Sequence, residues 1–245
     1  MVTSYNNRMR SQQAAQLLEE AAARNLRILD VGGGIAPFYR ATCVLDNQPF
    51  DGERLGRSAW PQPQWTGWTA EQYVKHDICE GRWPLADKSF DLGYAGGIME
   101  DIRDPIFAVR EMQRVCKRVI IEQPTRLCEQ TRGFEHQAWA GFAHHRWMVY
   151  DQDGALVFQR RTPVLNLRRC HHRIWPWQKV RPGDFVFTFV AEPPFEVRDL
   201  AFWALDTERD NLTAYVAQTR LPAVQWETNW RQLIFKFRQW LTGAV

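Results

Sequence analysis

Three consecutive glycines, Gly32 to Gly34, stand directly after a short apolar run over residues 26–31. A glycine turn at the end of a buried strand lets the backbone approach a ligand closely. The next apolar run, over 41–45, ends at Asp46, and a carboxylate in that position can accept hydrogen bonds from both hydroxyls of a ribose. The two features together predict a binding site for a nucleoside.

The same turn argues against a dinucleotide as the ligand. A dinucleotide site has a third glycine three residues further on, where the pyrophosphate meets the start of a helix, and Pro37 occupies that position here. Asp30, inside the apolar run, is badly placed for an anionic ligand and well placed to meet an ammonium group. The pattern therefore favours a nucleoside that carries an amino acid, which is S-adenosyl-L-methionine.

Histidines are concentrated in one stretch of the chain. Five of the six lie between residues 125 and 182, and they are His136, His144, His145, His171 and His172. Imidazole titrates near neutral pH, so His145 or its neighbour His144 is a candidate general base, and the alternatives are surface or core histidines. We predict no metal site, because adjacent histidines on a strand face opposite sides and no recognised ligand spacing links the two histidine pairs.

The sequence pattern predicts alternating helices and strands through the first half of the chain. An amphipathic helix over 11–25 comes first, and a second helix begins at Asp104 and Pro105, with proline in its first turn. Strands are predicted over 26–31, 41–45, 73–78, 90–95 and 118–122. This alternation predicts an α/β fold with a doubly wound, mostly parallel sheet.

The pattern changes after Pro124, where arginine, histidine, tryptophan and phenylalanine become dense. Residues 125–182 are predicted to be an insertion that forms a lid and the acceptor-binding segment. Residues 183–245 are predicted to complete the sheet, with strands over 185–191 and 195–202 and a helix over 223–241. We therefore expect a single domain over residues 1–245, with residues 1–124 as its cofactor-binding half.

Length and composition exclude several classes of protein. The chain has 245 residues, 45% of them hydrophobic, which is typical of a globular domain that needs no disulfide framework. Its net charge is only +3 and its basic residues are dispersed, so nucleic acid is not the expected partner. No apolar run approaches the roughly 18 residues of a membrane span. Five cysteines without metal-site spacing fit reduced thiols, so we expect a cytoplasmic protein with no membrane partner.

Four segments of the chain resemble one enzyme family. They are ILDVGGG (28–34), VLD (44–46), HDICEGRWPLADKSFDLGYAGGIMEDIRDP (76–105) and REMQRVCKRVIIEQP (110–124). In content and order they are similar to class I S-adenosylmethionine-dependent methyltransferases of the methyltransferase type 11 domain group, and WPLADKSFDL is the most specific piece. The resemblance covers roughly the first half of the chain. It implies a Rossmann-like, seven-stranded sheet and S-adenosyl-L-methionine as the cofactor.

The resemblance also implies cofactor roles by position. Asp30 would meet the amino group of the methionine, Asp46 the ribose hydroxyls, and Asp77 the adenine edge. The implied cofactor-binding residues are Asp30, Gly32, Gly33, Gly34, Asp46, Asp77, Ile78, Ala95 and Gly96, the last two beside the sulfonium. Taken singly, these acids have alternative roles as strand-end caps or as the start of a turn.

Two departures limit the resemblance. The gap from Gly34 to Asp46 leaves room for barely two turns of the first crossover helix, and Pro37 interrupts it. The segment that commonly reads HVLEH in the family is GIMED here (97–101), so a role of those histidines does not transfer. Acceptor binding is expected in the insertion, where the candidates are Arg126, Glu129, Arg146 and Trp147. Arginine would bind a carboxylate or phosphate, and aromatic faces would bury a planar or sugar-like acceptor.

These observations predict an S-adenosylmethionine-dependent methyltransferase that acts on a hydroxyl or amine of a small molecule by in-line transfer. Two alternatives stay open. The first is another use of the cofactor on the same fold, either intramolecular cyclisation or decomposition of the cofactor itself. The second is a non-catalytic binding module whose aromatic C-terminal segment contacts a partner protein. The sequence makes no prediction about the oligomeric state.

Overall fold

Six strands form the central sheet of the computed structural model, which describes residues 11–34, 36–52, 68–174, 186–202 and 204–221. The strands are β1 (Ile28–Val31), β2 (Cys43–Asp46), β3 (Tyr73–Lys75), β4 (Phe90–Gly96), β5 (Cys116–Pro124) and, later in the chain, β10 (Val186–Ala191). Their order is β10, β5, β4, β1, β2, β3. The first five strands are parallel, and β10 pairs antiparallel to β5 at one edge. The predicted α/β fold with a mostly parallel sheet is confirmed.

Strand β1 is central because strands pair with it on both sides. Leu29 is in register with Cys43 of β2 and with Gly93 of β4. All four residues of β1 are buried, as expected for a short apolar strand covered on both faces. Successive strands are added on one side of β1 as far as β3 and on its other side from β4 onward. This reversal of strand order places a crevice at the carboxyl ends of β1 and β4.

Two helices cover the two faces of the sheet. Helix α1 (Gln12–Ala23) is capped by the Ser11 hydroxyl, which accepts from the Ala14 amide, and its buried face packs with Ile28, Leu92 and Ile120. Helix α2 (Pro105–Val115) begins after Asp104, whose carboxylate accepts from the Phe107 amide at 2.9 Å. It packs on the opposite face, where Leu29, Val119 and Ile121 are buried. Both helices predicted for this half of the chain form: α1 lies within two residues of its predicted bounds, and α2 begins at the predicted Pro105.

The inserted segment contains a β-hairpin that packs into the main core. Its strands β7 (Trp147–Gln152) and β8 (Ala155–Arg160) are joined by Asp153 and Gly154, which both have positive φ angles. Asp-Gly is a strong sequence signal for a two-residue hairpin turn, and the structure has such a turn here. Four side chains of the hairpin lie in the same apolar cluster as β1 and α2, and they are Trp147, Val149, Leu156 and Phe158. The described part of the insertion therefore shares a core with the sheet.

The strand expected over 195–202 forms, but it does not extend the central sheet. It is β11 (Val197–Leu200), and it pairs in parallel with β8, so that β11, β8 and β7 make a separate three-stranded sheet. The Phe195 amide donates to Gln113 Oε1 of α2 at 3.0 Å, which carries the chain across α2 before β11 begins. In the described residues the central sheet has six strands, where seven were expected.

The remaining elements surround the hairpin. They are α3 (Arg126–Glu129), β6 (Thr131–Arg132), β9 (His172–Arg173) and α4 (Leu205–Gln218). Helix α4 packs against the 3-10 turn Pro163–Asn166 through the buried Leu212. The helix predicted over 223–241 and the last residues of the predicted insertion, 175–182, lie outside the described residues. Within the described ranges, no helix combines the length and the apolar composition needed to cross a membrane.

Candidate functional site

A cleft of about 290 Å³ opens at the carboxyl ends of the first four strands. This is the crevice that the strand order predicts, because β1 and β4 are neighbours whose following loops turn to opposite faces. Its described lining comprises Gly32, Asp46, Asn47, Asp77, Ile78, Cys79, Ile98, Asp101, Ile102, Arg103 and Arg146. Four predicted cofactor residues, distant in the sequence, therefore line one cavity.

The glycine turn and the end of β2 are joined through Asp46. The Gly34 amide donates to Asp46 Oδ2 at 2.9 Å, and the Gln48 amide donates to Asp46 Oδ1 at 2.7 Å. Each carboxylate oxygen has two lone pairs, so these bonds use one acceptor position on each oxygen. The carboxylate is thereby held in a fixed orientation with capacity for two further donors, which is what a ribose diol offers.

Asp30 lies beneath the turn and not on the wall of the cleft. Its side chain is 2% exposed, and its Oδ2 accepts the Phe38 amide at 2.5 Å. A Cβ at Gly33 would come within 3.0 Å of the Asp30 carboxyl carbon, so the turn rests directly on this carboxylate. In a dinucleotide site, a backbone amide in this position would donate to a phosphate. Here the Phe38 amide donates to the Asp30 carboxylate instead.

The loop after β3 forms the next wall. The Cys79 amide donates to Asp77 Oδ1 at 2.8 Å, and Arg103 lies 3.5 Å from Asp77 Oδ2. The indole Nε1 of Trp83 donates to the Ile78 carbonyl at 3.1 Å. Because Trp83 is 1% exposed, this bond anchors the backbone beside Asp77 to the core.

The loop after β4 forms another wall of the cleft. Ala95 is fully buried in the core, and Gly96 packs against Tyr94 so closely that a Cβ would overlap the Tyr94 hydroxyl. Neither is among the described lining residues. Ile98 reaches the cleft instead, since a Cβ on Gly32 would lie 2.6 Å from Ile98 Cγ1. Ile98 is therefore a further residue of the cleft, and the roles of Ala95 and Gly96 beside the sulfonium stay predictions.

A cluster of buried acids and histidines adjoins the cleft. The Arg146 and Trp147 amides both donate to the Glu100 carbonyl, at 2.7 and 3.1 Å, which brings residues 144–147 against the loop after β4. His145 Nδ1 lies 2.5 Å from Glu129 Oε1, and Arg161 Nε lies 3.3 Å from Glu129 Oε2. The sequence-predicted His145 and Glu129 are therefore partners in one buried network.

The two candidate general bases, His145 and His144, differ in burial and in their charged neighbours. Burial raises the pKa of Glu100 to about 8 and also raises the pKa of Asp101. Burial alone would lower the pKa of His145, but the carboxylates of Glu129, Glu100 and Asp101 together outweigh it and raise that pKa. His145 is also buried and hydrogen-bonded to Glu129 through Nδ1, which makes it less available to an acceptor than an exposed imidazole. The side chain of His144 is 61% exposed and lies 4.0 Å from Asp101, so it is the more accessible of the pair.

The four expected acceptor-binding residues occupy different places. Arg146 lines the cleft and Glu129 lies in the buried cluster, as described above. Trp147 is 6% exposed and its indole donates to the Ile102 carbonyl, so the expected substrate contact is corrected to a packing role in the core. Arg126 borders a second cavity of about 460 Å³, where its guanidinium lies between the Tyr150 and Tyr215 rings.

Asp101, Ile98 and Arg103 line the cleft and were missed from the sequence. The signal was available for Asp101, because it ends the GIMED segment that follows β4, at the position where the family motif carries its last histidine. The absence of both histidines from this segment does not remove its chemistry, because a carboxylate can also bind a ligand or accept a proton.

Neither a protein-family model nor a curated protein matches the sequence. Among solved structures, the chain is similar to a SAM-dependent methyltransferase from Aquifex aeolicus, with 18% identity and a TM-score of 0.30 over 45% of this chain and 63% of that one. It is similar to an S-adenosylmethionine-dependent methyltransferase from Mesorhizobium loti, with 17% identity and a TM-score of 0.33 over 78% and 73%.

A third similar structure is the (4+2)-cyclase SpnF, with 22% identity and a TM-score of 0.32 over 49% of this chain and 50% of that one. The chain thus matches only about half to two-thirds of the length of the Aquifex and SpnF proteins. At these identities and TM-scores, the likenesses carry no argument about this chain.

Proposed function

We propose that the chain binds S-adenosyl-L-methionine in the cleft and transfers its methyl group to a hydroxyl or amine of a small molecule. One observation carries the proposal: Gly32, Asp46 and Asp77 line a single cleft at the point where the strand order reverses. They belong to segments that resemble the family in content and order, although the interval from Gly34 to Asp46 is shorter than in the family, and ligands of open α/β sheets bind at this point.

The cofactor would lie across the carboxyl ends of β1 to β4. Its ribose hydroxyls would donate to the Asp46 carboxylate, whose orientation the Gly34 and Gln48 amides fix. Its adenine would lie along Asp77 and Ile78, where Trp83 anchors the backbone. The methionine part would cross the glycine turn, so that the methyl group faces the loop after β4.

The chemistry of the turn favours this cofactor over a dinucleotide. A pyrophosphate needs backbone N–H groups at the start of a helix, and the described residues 36–42 form no helix. The Phe38 amide already donates to Asp30, and the negative charge of Asp30 opposes a phosphate. A sulfonium with an ammonium group carries positive charge, and the same carboxylate favours it.

Methyl transfer needs mainly alignment from the protein, because the sulfonium is already activated. A lone pair of the acceptor forms the new bond to the methyl carbon as the carbon–sulfur bond breaks, and S-adenosylhomocysteine leaves as a neutral thioether. A hydroxyl acceptor also loses its proton to a base. Asp101 and Arg146 line the cleft on the side where the acceptor would enter, and His144 lies next to Asp101.

Calorimetric titration tests the proposal directly. S-adenosylmethionine and S-adenosylhomocysteine should each bind with a stoichiometry of one per chain, and NAD should bind at least 100-fold more weakly. Tritiated methyl donor should then label a hydroxyl or amine acceptor in a small-molecule screen. Failure of both adenosyl ligands to bind would overturn the assignment, and so would tighter binding of NAD. Consumption of the cofactor with no acceptor present would favour cyclisation or decomposition instead.

A further inference from the structure

We propose that Asp101, His144 and His145 form a binding site for one divalent transition-metal ion at the edge of the cleft. One ligand atom from each of the three side chains lies within 4.8 Å of the others. Three protein ligands, two imidazole nitrogens and one carboxylate oxygen, are a common set for catalytic metal ions that keep further positions open.

The two histidines converge because they do not lie on a strand. Strand β7 begins at Trp147, and residues 144 and 145 precede it in a turn. Their ring centroids are 4.5 Å apart with an interplanar angle of 79°. The opposite-face argument, which predicted no metal site from the sequence, does not apply to a turn.

Each histidine has a carboxylate near its Nδ1 atom. His145 Nδ1 lies 2.5 Å from Glu129, and His144 Nδ1 lies 3.9 Å from Glu135. Glu135 is itself fixed, since its Oε2 accepts from Trp139 Nε1 and from the Ala143 amide. Metal-binding histidines characteristically donate their second N–H to a carboxylate, which orients the ring and strengthens the ligand.

The Nε2 atoms of the two histidines each lie near one oxygen of a carboxylate. His144 Nε2 lies 4.0 Å from Asp101 Oδ2, and His145 Nε2 lies 4.0 Å from Glu100 Oε1. The second oxygen of each carboxylate, Asp101 Oδ1 and Glu100 Oε2, is buried and makes no hydrogen bond within the described residues. Glu100 as a whole is only 3% exposed. A metal ion bound by Asp101 would supply a partner for a carboxylate in this buried cluster when it is ionised.

The ligand set selects the class of metal. Imidazole nitrogens suit Zn²⁺, Cu²⁺, Fe²⁺ and Ni²⁺, whereas Mg²⁺, Ca²⁺ and Mn²⁺ prefer oxygen ligands, and Co²⁺ is a spectroscopic substitute for Zn²⁺. We therefore expect Zn²⁺ or Co²⁺ to bind far more tightly than Mg²⁺.

The role of the metal, unlike its binding, rests on the proposed methyl transfer. Asp101 lines the cleft, so an ion held there would be within reach of an acceptor oxygen. It would lower the pKa of an acceptor hydroxyl, so that water can take the proton, and His144 would then serve as a ligand and not as the base.

The test uses the full chain after removal of metals with EDTA and dialysis. Calorimetric titration with Co²⁺ should show one site per chain, together with visible absorption bands typical of nitrogen-coordinated cobalt. Zn²⁺ should raise the melting temperature, and Mg²⁺ should not. His144→Ala and Asp101→Asn should each weaken Co²⁺ binding at least about 100-fold, beyond the 10- to 100-fold typical of residues that only orient a ligand.

His136→Gln is the matched control, because His136 stacks on Trp139 in the same segment but is not part of the three-residue group. It should bind Co²⁺ as the unmodified chain does. Circular dichroism in EDTA separates loss of the site from loss of the fold. Absence of Co²⁺ and Zn²⁺ binding below millimolar concentration, or unchanged binding in folded His144→Ala, overturns the proposal. Adenosyl-ligand binding measured in EDTA reports independently on the proposed function.

Discussion

The Gly34 amide donates to Asp46 Oδ2 across 2.9 Å, and this bond joins the loops that follow two neighbouring parallel strands. Strands β1 and β2 are in register up to Val31 and Leu45, and the chain leaves the sheet on both just beyond. The bond therefore joins the two loops at one end of the cleft, just beyond the last sheet hydrogen bonds between β1 and β2. It also orients a carboxylate before any ligand arrives, which reduces the free energy lost on binding.

Replacement of Asp46 should weaken cofactor binding without unfolding the protein. Asp46→Asn has one acceptor oxygen where the carboxylate has two, so one of the bonds from Gly34, Gln48 or the ribose is lost. We expect affinity for S-adenosylhomocysteine to fall at least tenfold, about 1.4 kcal/mol, in calorimetry. Asp153→Asn, in the exposed turn between β7 and β8, is the control and should bind normally. Equal affinities of the two variants would remove Asp46 from the site.

Alanine substitutions at two glycines with positive φ should distinguish the cost of backbone strain from the cost of a steric clash. Gly32 (φ +72°) has no room for a Cβ because of Ile98, whereas Gly81 (φ +58°) has no atom within 4 Å. Gly81→Ala should cost about 1–2 kcal/mol of stability and leave ligand affinity unchanged. Gly32→Ala should be more destabilising and should also weaken S-adenosylhomocysteine binding at least tenfold. Chemical denaturation and calorimetry on both variants measure the difference, and identical behaviour would contradict the contact with Ile98.

Cys79 should be the thiol that reports on occupancy of the cleft. It lines the cavity and is half-buried. Burial raises the pKa of Cys43 to about 11 and that of Cys116 to about 12, and both thiols should therefore react slowly with iodoacetamide. S-adenosylhomocysteine should slow alkylation of Cys79, as read by mass spectrometry of the digested protein. An unchanged rate at saturating ligand would place the cofactor elsewhere.

Glu111 should contribute stability that depends on pH. Its carboxylate accepts from the Trp83 amide at 2.8 Å and from Arg114 Nη2 at 2.6 Å, and the Arg114 bond holds its pKa below the usual value near 4.3. A lowered pKa means that the ionised form favours folding, so the contribution is present above about pH 4.5 and is lost as the pH falls through the folded-state value.

Urea denaturation should therefore show Glu111→Gln to be less stable than the unmodified chain by about 1.5–3 kcal/mol at pH 7, and the difference should shrink towards pH 3. Gln16→Glu, on the exposed face of α1, is a control for an added charge without a buried partner. A stability difference that is constant from pH 7 to pH 3 would mean that the charge on Glu111 contributes nothing.

The sequence predicts those parts of the fold that depend on local pattern. Apolar runs locate β1, β2, β4 and β5 because each is short and buried, and Asp104 with Pro105 marks the start of α2. Parallel strands share a carboxyl edge, which is why Gly32, Asp46 and Asp77 meet in one cleft. The pairing of β11 with β8 depends on contacts across some 40 residues, and no local periodicity encodes it.

The candidate site shows the same limit. Ile98 reaches Gly32 only because β4 continues through Gly96, and the end of a strand is set by its neighbours. The convergence of His144 and His145 depends on the Glu100 carbonyl, which accepts the two amides that follow them. Neither relationship involves residues close in sequence.

The packing of the hairpin into the core has a consequence for how the protein can be divided. Val149, Leu156 and Phe158 are at most 1% exposed, and burial of each is worth about 1.5–3 kcal/mol. Removal of the hairpin would expose the apolar side chains of β5 and α2 that pack against it. A chain shortened in this way should therefore fail to fold its central sheet. Amide hydrogens of β7 and β8 should accordingly exchange with solvent as slowly as those of β4 and β5, because the two halves unfold in one cooperative step.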